Sequence, residues 1–321
     1  MKIDVHVHII ASTSEHGKVS GYLRKRPNVI LSRLLLGIPL SGPDDTVEAA
    51  FERCLVQTVE ETPELDAAVG LAFDAVHTED GRRDEASTHL YVSNDYAAGL
   101  ARANPKLLFG ASVHPYRSDA IAELEKCAAA GAVLVKWLPL VQGMDPASDR
   151  CTPFYEALAH HRLPLLCHTG GELSLPQHFP QYASPELLIP ALRRGVTVIA
   201  AHCGTRSQPF GRDYLPEFSR MAQDYEHFYG DTSALCLPTR SYAFRRILEN
   251  EAVRRKLVHG SDWPVVSMPP LKIGLGKALR LCREGNWMRR DVLAKQALGL
   301  DDDYFRRAGS LLRLAESASP A

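Results

Sequence analysis

Eight short apolar runs, each separated from the next by a longer amphipathic or polar stretch, dominate this chain. They fall near residues 2–8, 67–73, 107–113, 132–137, 164–168, 196–202, 228–233 and 257–261. Short apolar runs alternating with helical patterns are the signature of βα units on a parallel sheet. Eight is the strand count of a closed (β/α)8 TIM barrel, and 321 residues suffice for one with additions. Five of the runs end in, or lead directly to, a residue able to bind a metal or a proton. The first reads Lys2-Ile3-Asp4-Val5-His6-Val7-His8; later ones end in Lys136, His168, His202 and, through His259-Gly260-Ser261, in Asp262. On a strand, residues i and i+2 share a face, so His6 and His8 converge. Buried imidazoles need partners for both nitrogens, and two of them beside a carboxylate are hard to satisfy without a metal. The pattern points to a metal-dependent enzyme.

Strict alternation gives a testable register. Ile3, Val5 and Val7 are expected on the helix-facing side of the first strand, with Asp4, His6 and His8 inward. By the same parity Ala132, Leu134 and Lys136 share a face, and so do Val196, Val198, Ala200 and His202. Cys167 and Cys203 then alternate away from the site, as small buried hydrophobes. Asp4 is weighed between orienting a histidine ligand and simple strand-start hydrogen bonding, and Asp231 between a supporting role and a turn carboxylate. His114, His227 and His259 read as structural histidines.

Helical patterns fill the gaps, among them Pro43–Glu61, Asp119–Ala130, Pro153–His161, Ser184–Arg194 and Tyr242–Arg255. Gly131 and Gly195 stand where C-terminal capping glycines belong. Two regions extend a plain barrel and leave room for distortion. Residues 9–43 form a long loop after the first strand, read equally as a lid or as a surface or oligomer contact. Residues 285–315 read as two or three extra helices closing the barrel bottom or side. With no linker or repeat beyond the βα cycle, residues 1–321 are expected to form a single domain.

A net charge of −1 gives no reason to expect nucleic acid or a membrane surface as partner, which leaves a small-molecule substrate. Arg24-Lys25-Arg26 is too short a run to argue otherwise and reads as a solvated loop face. Seven scattered cysteines, with no CxxC pair, suit a reducing compartment. No signal peptide is visible, and the expected location is cytoplasmic. A homodimer is compatible with the chain, the 9–43 loop being the segment that would pack against a neighbour.

The segments DVHVH, VKWLP, LLCHTGGE, VIAAHCG and HGSDWP, in this order over residues 4–264, resemble the amidohydrolase superfamily. More narrowly they resemble its amidohydrolase-related (amidohydrolase 2) branch, which contains decarboxylases and lactone hydrolases. The resemblance implies that His6, His8, His168 and Asp262 ligate a divalent metal, most readily Zn, with Mn, Fe or Co also suited. It implies that His202 either binds a second metal or serves catalysis. Lys136 matches the lysine that bridges two metals as a carbamate. An unmodified ammonium would repel a cation, so Lys136 is carbamylated, turned away or structural, and the metal count of one or two depends on which.

The chemistry implied is hydrolysis of a small lactone, ester or amide, with or without a carboxylate. A metal lowers the pKa of bound water from 15.7 to about 7; Asp262 takes a proton from that water, and the metal or His202 stabilises the oxyanion. The alternative is a decarboxylase or hydratase on the same site. A phosphoesterase-type barrel would carry glutamate where Lys136 stands, and a degenerate binding module would have lost ligands. Trp137, Glu172, His178 and Arg206 follow the proposed ligands closely and are the candidate substrate contacts; Arg206 could clamp a carboxylate.

Overall fold

Each apolar run becomes a strand in the computed structural model, which describes residues 1–314. The strands are β1 (Ile3–His8), β2 (Ala67–Leu71), β3 (Leu107–Ala111), β4 (Leu134–Trp137), β5 (Leu165–His168), β6 (Val198–Ala201), β7 (Phe228–Asp231) and β8 (Leu257–Val258). They pair in parallel in chain order. Backbone bonds from Val5 N to His259 O (3.0 Å), His8 N to Trp263 O (2.8 Å) and Asp262 N to His6 O (2.9 Å) join the last strand to the first. The architecture is a TIM barrel.

Helices follow the expected positions, at Asp44–Glu60, Ala120–Ala129 and Thr152–His160. Gly131 and Gly195 take φ of +91° and +79°, the left-handed conformation that ends a helix without a Cβ penalty. Two segments are broken where one helix is expected. Ser184 leads into a 3-10 turn, Pro185–Leu188, before the helix Ile189–Arg193. The 242–255 stretch divides at Asn250, whose side chain accepts from Val253 N and starts a second short helix, Glu251–Arg254.

One residue or two from most strands fill the lower barrel interior: Ile3, Val5, Val69, Leu71, Leu134, Leu166, Ile199, Ala201 and Val258 pack as one cluster. This corrects the register expected for two strands. Ile3 and Val5 point inward with His6 and His8, while Asp4 and Val7 do not. The cause is a bulge: Asp4 pairs with Ala68 and Val7 with Gly70, so β1 carries one extra residue across that interval. On β6 the inward residues are Ile199 and Ala201, whereas Val196, Val198 and Ala200 join the helix-facing core. His202 reaches the interior because its backbone turns left-handed, with φ +58°. For Leu134 and Lys136, and for outward Cys167, simple alternation holds, but Ala132, expected on the face of Leu134, packs in the helix-facing core instead.

The 9–43 excursion folds over the barrel mouth. Its strand Gly17–Val19 pairs antiparallel with Leu90–Val92, and helices Gly21–Arg24 and Pro27–Leu35 follow. Arg24 pairs with Asp44 at 2.6 Å and Arg26 Nη2 donates to Leu173 O at 2.8 Å, so only Lys25 of that basic triplet is fully solvated. At the other end of the chain lie helices Trp287–Ala297, Asp302–Arg306 and Ala308–Leu311. Ala308 and Leu312 pack onto the interior cluster and plug the barrel bottom; position 315, the last of that expected segment, lies outside the described residues. Among the described residues no helix is long and apolar enough to cross a membrane.

Candidate metal centre

Immediately above the apolar plug, the interior becomes polar. His6 from β1, Lys136 from β4, His168 from β5 and Asp231 from β7 each stand two or three residues beyond an apolar inward residue of the same strand. His202 and Asp262 join them from the turns after β6 and β8, both left-handed, with φ of +58° and +68°. Non-glycine residues rarely adopt this conformation, and such residues cluster at functional sites. All six are buried, none more than 7% exposed.

Donor atoms of His6, His202 and Asp262 lie within 4.8 Å of one another. His8 adjoins them, its Nε2 3.1 Å from Asp262 Oδ1. The His168 ring stands edge-on to His202 with centroids 4.7 Å apart, while its nitrogens face Gly171 O (3.3 Å) and Glu172 Oε2 (3.9 Å). Lys136 Nζ is 3.2 Å from His6 Nε2. The structure thus gathers His6, His202 and Asp262 tightly, with His8, Lys136 and His168 around them.

Tautomers follow from the partners. His6 Nδ1 lies 2.8 Å from Asp231 Oδ2, an acceptor when ionised, so Nδ1 carries the proton and Nε2 presents its lone pair to the centre. His202 Nδ1 faces Ser233 O at 2.9 Å and likewise leaves Nε2 unprotonated. Ser233 Oγ sits between the two rings, 3.0 Å from His6 Nδ1 and 2.8 Å from His202 Nδ1. Asp231 also accepts from His202 N at 2.8 Å through Oδ1. Gly260 leaves the room for this packing, because a Cβ there would stand 2.9 Å from His6 Cβ.

Burial pushes the pKa of all three inner imidazoles down, that of His202 to about 3, so they are neutral. Burial pushes the Asp262 carboxyl up, but His6, His202 and His8 outweigh it and hold the group well below the usual carboxylate range. The Lys136 amine is pulled down by burial, against the opposing pull of Asp231 and Asp262. The inward Nε2 lone pairs of neutral His6 and His202 beside the ionised Asp262 carboxylate are a donor set suited to a divalent cation.

Above this centre opens a cavity of about 250 Å3 lined by His8, His168, His202, Asp262, Glu172 and Arg240 at its base. Residues of the 9–43 excursion form one wall. Of the four candidate substrate contacts, only Glu172 lines this cavity. Trp137 is fully buried, with Nε1 on Val113 O and its ring against Phe154 and Tyr155, a helix-facing packing residue. His178 is exposed and stacks loosely with His89. Arg206 lies over the Tyr242 ring at 4.7 Å rather than in the cavity. The arginine at the site is Arg240, 4% exposed and anchored by Thr205 O and Oγ1 (both 2.7 Å) and by Gly171 O. Arg240 ends no apolar run, and Ser233, the last residue of the 228–233 run, is neither a metal ligand type nor an ionisable group. Asp4 accepts from His6 N and Ser261 N, both at 3.0 Å, pinning β1 to β8 from outside the site.

A family model described as amidohydrolase matches residues 3–298. The chain belongs to the amidohydrolase family. No curated protein matches this amidohydrolase. Solved structures share its fold. An uncharacterised TIM-barrel protein from Bordetella bronchiseptica is 19% identical, with a TM-score of 0.62 over 96% of this chain and 99% of that one. A probable 2-pyrone-4,6-dicarboxylic acid hydrolase from Acinetobacter baumannii, with citric acid bound, is 15% identical, with a TM-score of 0.58 over 98% and 97% of the two chains. A 2,6-dihydroxybenzoate decarboxylase complexed with 2,6-dihydroxybenzoate is 15% identical, with a TM-score of 0.50 over 94% and 99%. These similar folds span hydrolytic and non-hydrolytic names.

Proposed function

We propose that this amidohydrolase is a metal-dependent hydrolase acting on a small lactone, ester or amide. The observation that carries the reading is the convergence of His6, His202 and Asp262 within 4.8 Å at the C-terminal end of the barrel, where active sites of this fold lie. His6, His8, His168 and Asp262 are assigned as ligands of one divalent metal, zinc before manganese, iron or cobalt. His202 is assigned to a second metal or to oxyanion stabilisation. When bound, such a metal supplies Lewis acidity and lowers the pKa of water from 15.7 to about 7.

The remaining roles belong to the chain. Asp262, ionised and wedged between His6 and His8, takes the proton of the attacking water and returns it to the leaving oxygen or nitrogen. Asp231 and Ser233 hold the His6 and His202 rings in the tautomer that points Nε2 inward. Arg240, fixed by three oxygens, places a positive charge beside the base of the cavity. Lys136, with its amine depressed by burial, has a neutral fraction that can add carbon dioxide to give a carbamate and a proton.

The test is turnover of a panel of lactones, aryl esters and anilides by zinc-loaded protein, followed as proton release in a pH-stat. A parallel panel of aromatic carboxylates is followed as carbon dioxide release. Hydrolysis that disappears in Asp262→Asn supports the reading. Carbon dioxide release without hydrolysis assigns the lyase alternative, and hydrolysis retained in Asp262→Asn overturns the role given to Asp262.

A further inference from the structure

The helix Pro27–Leu35 is inverted relative to a normal surface helix. Leu31, Leu34 and Leu35 are 53%, 59% and 59% exposed, while Arg33 is 4% exposed. Burying a guanidinium without partners is costly, so a buried arginine is ordinarily paired. Arg33 is not: its Nε and Nη2 are buried and have no hydrogen-bond partner among the described residues. The charge nearest in effect is another cation, Arg24, whose own carboxylate is Asp44. Other arginines with an orphaned nitrogen are accounted for, Arg26 by Leu173 O and Arg206 by the Tyr242 ring.

Arg33 and Arg24 both line the cavity that contains Asp262 and His202. Much of the remaining wall is hydrocarbon, including Leu23, Val29, Phe51, Phe73, Leu138 and Val266, interrupted by polar residues such as Ser12, Asn28 and Ser174. The volume of about 250 Å3 lies below the ~300–1,000 Å3 usual for drug-sized ligands, so the occupant is small.

We propose that Arg33 receives a carboxylate at the far end of an apolar substrate whose reacting carbonyl lies at the His6–His202–Asp262 centre. This rests on the hydrolase reading for the reacting end. The substrate class is then an ester, lactone or amide with a short hydrocarbon body and one terminal carboxylate. A guanidinium is matched to a carboxylate by its planar fork, and among the described residues nothing pairs with the Nε and Nη2 of that fork. The excursion carries this subsite, so the 9–43 loop sets specificity while the strand ends carry the chemistry.

The experiment is calorimetric titration of zinc-loaded wild type, Arg33→Leu and Arg33→Lys with octanoate and with 1-octanol. Octanoate binding weakened about tenfold or more in Arg33→Leu, less in Arg33→Lys, with 1-octanol unchanged throughout, is the expected result. Equal effects on both ligands, or no effect on octanoate, overturns the subsite. Thermal unfolding of the variants checks the fold, and removing an unpaired buried charge should leave Arg33→Leu at least as stable as wild type. The titration reads the subsite whether or not any ester is turned over, so its failure is separable from failure of the hydrolase reading.

Discussion

Asp231 Oδ2 lies 2.8 Å from His6 Nδ1, so a carboxylate on the seventh strand fixes the tautomer of a histidine on the first. The same carboxylate accepts from His202 N and from Ser233 N, which makes it the hub of the polar layer. An outer carboxylate that orients a ligand histidine is commonly worth 10–100-fold in metal affinity.

Asp231→Asn keeps the shape but offers a donor where His6 needs an acceptor. Zinc affinity, measured by competition with a chromogenic chelator, is expected to fall about 10–100-fold. Near-UV circular dichroism should stay unchanged. Unaltered affinity would mean that the His6 tautomer is set elsewhere.

Lys295 supports the site from below. It pairs with Asp291 and donates to Gly260 O at 2.7 Å, both side chains being buried. The Asp291 charge outweighs burial and holds the lysine pKa up. Lys295→Met leaves Asp291 buried without its cation, and urea unfolding should show a loss of about 3–5 kcal/mol. The double variant Lys295→Met with Asp291→Leu should recover much of it.

The excursion is tied down by Glu48, which accepts from Ser12 N (2.7 Å) and Thr13 N (2.9 Å) and contacts His16. Burial raises its pKa, but the hydrogen bonds from Thr13, His16 and Ser12 win and lower it. A carboxyl whose folded pKa is depressed contributes stability that is present above its unfolded value, about 4.3, and is lost as pH falls through the folded value. Amide exchange at residues 12–16 should therefore accelerate below about pH 4 in wild type. In Glu48→Gln it should already be fast at neutral pH and vary less on acidification. A wild type without the acid-induced step would contradict the assignment.

The barrel was legible because each strand is a short apolar run, and the family because histidines, a lysine and an aspartate end several of those runs in a set order. His6, His8 and Lys136 are also inward as expected, though not for the full reason. Period-two counting from Ile3 would have sent Asp4 inward as well; the bulge between Asp4 and Val7 shifts the register by one residue. For His202 the left-handed backbone reverses the face that alternation assigns. Both are local backbone departures with no composition signal. Arg240, Ser233 and Arg33 escaped for a different reason: they sit in connections, where a polar residue looks like any solvated one until the chain is folded. Arg206 lies over the Tyr242 ring instead of lining the cavity, because proximity in sequence to His202 does not place a side chain there.

The central proposal is that His6 and Asp262, with His8 and His168, hold a divalent metal, and elemental analysis of the purified protein tests it most directly. Protein purified without chelator and with bicarbonate present should carry at least one zinc, manganese, iron or cobalt per chain. His6→Ala and Asp262→Ala should lose it while keeping wild-type circular dichroism. Wild type without stoichiometric metal after zinc loading, or variants that retain as much as wild type, would contradict the account.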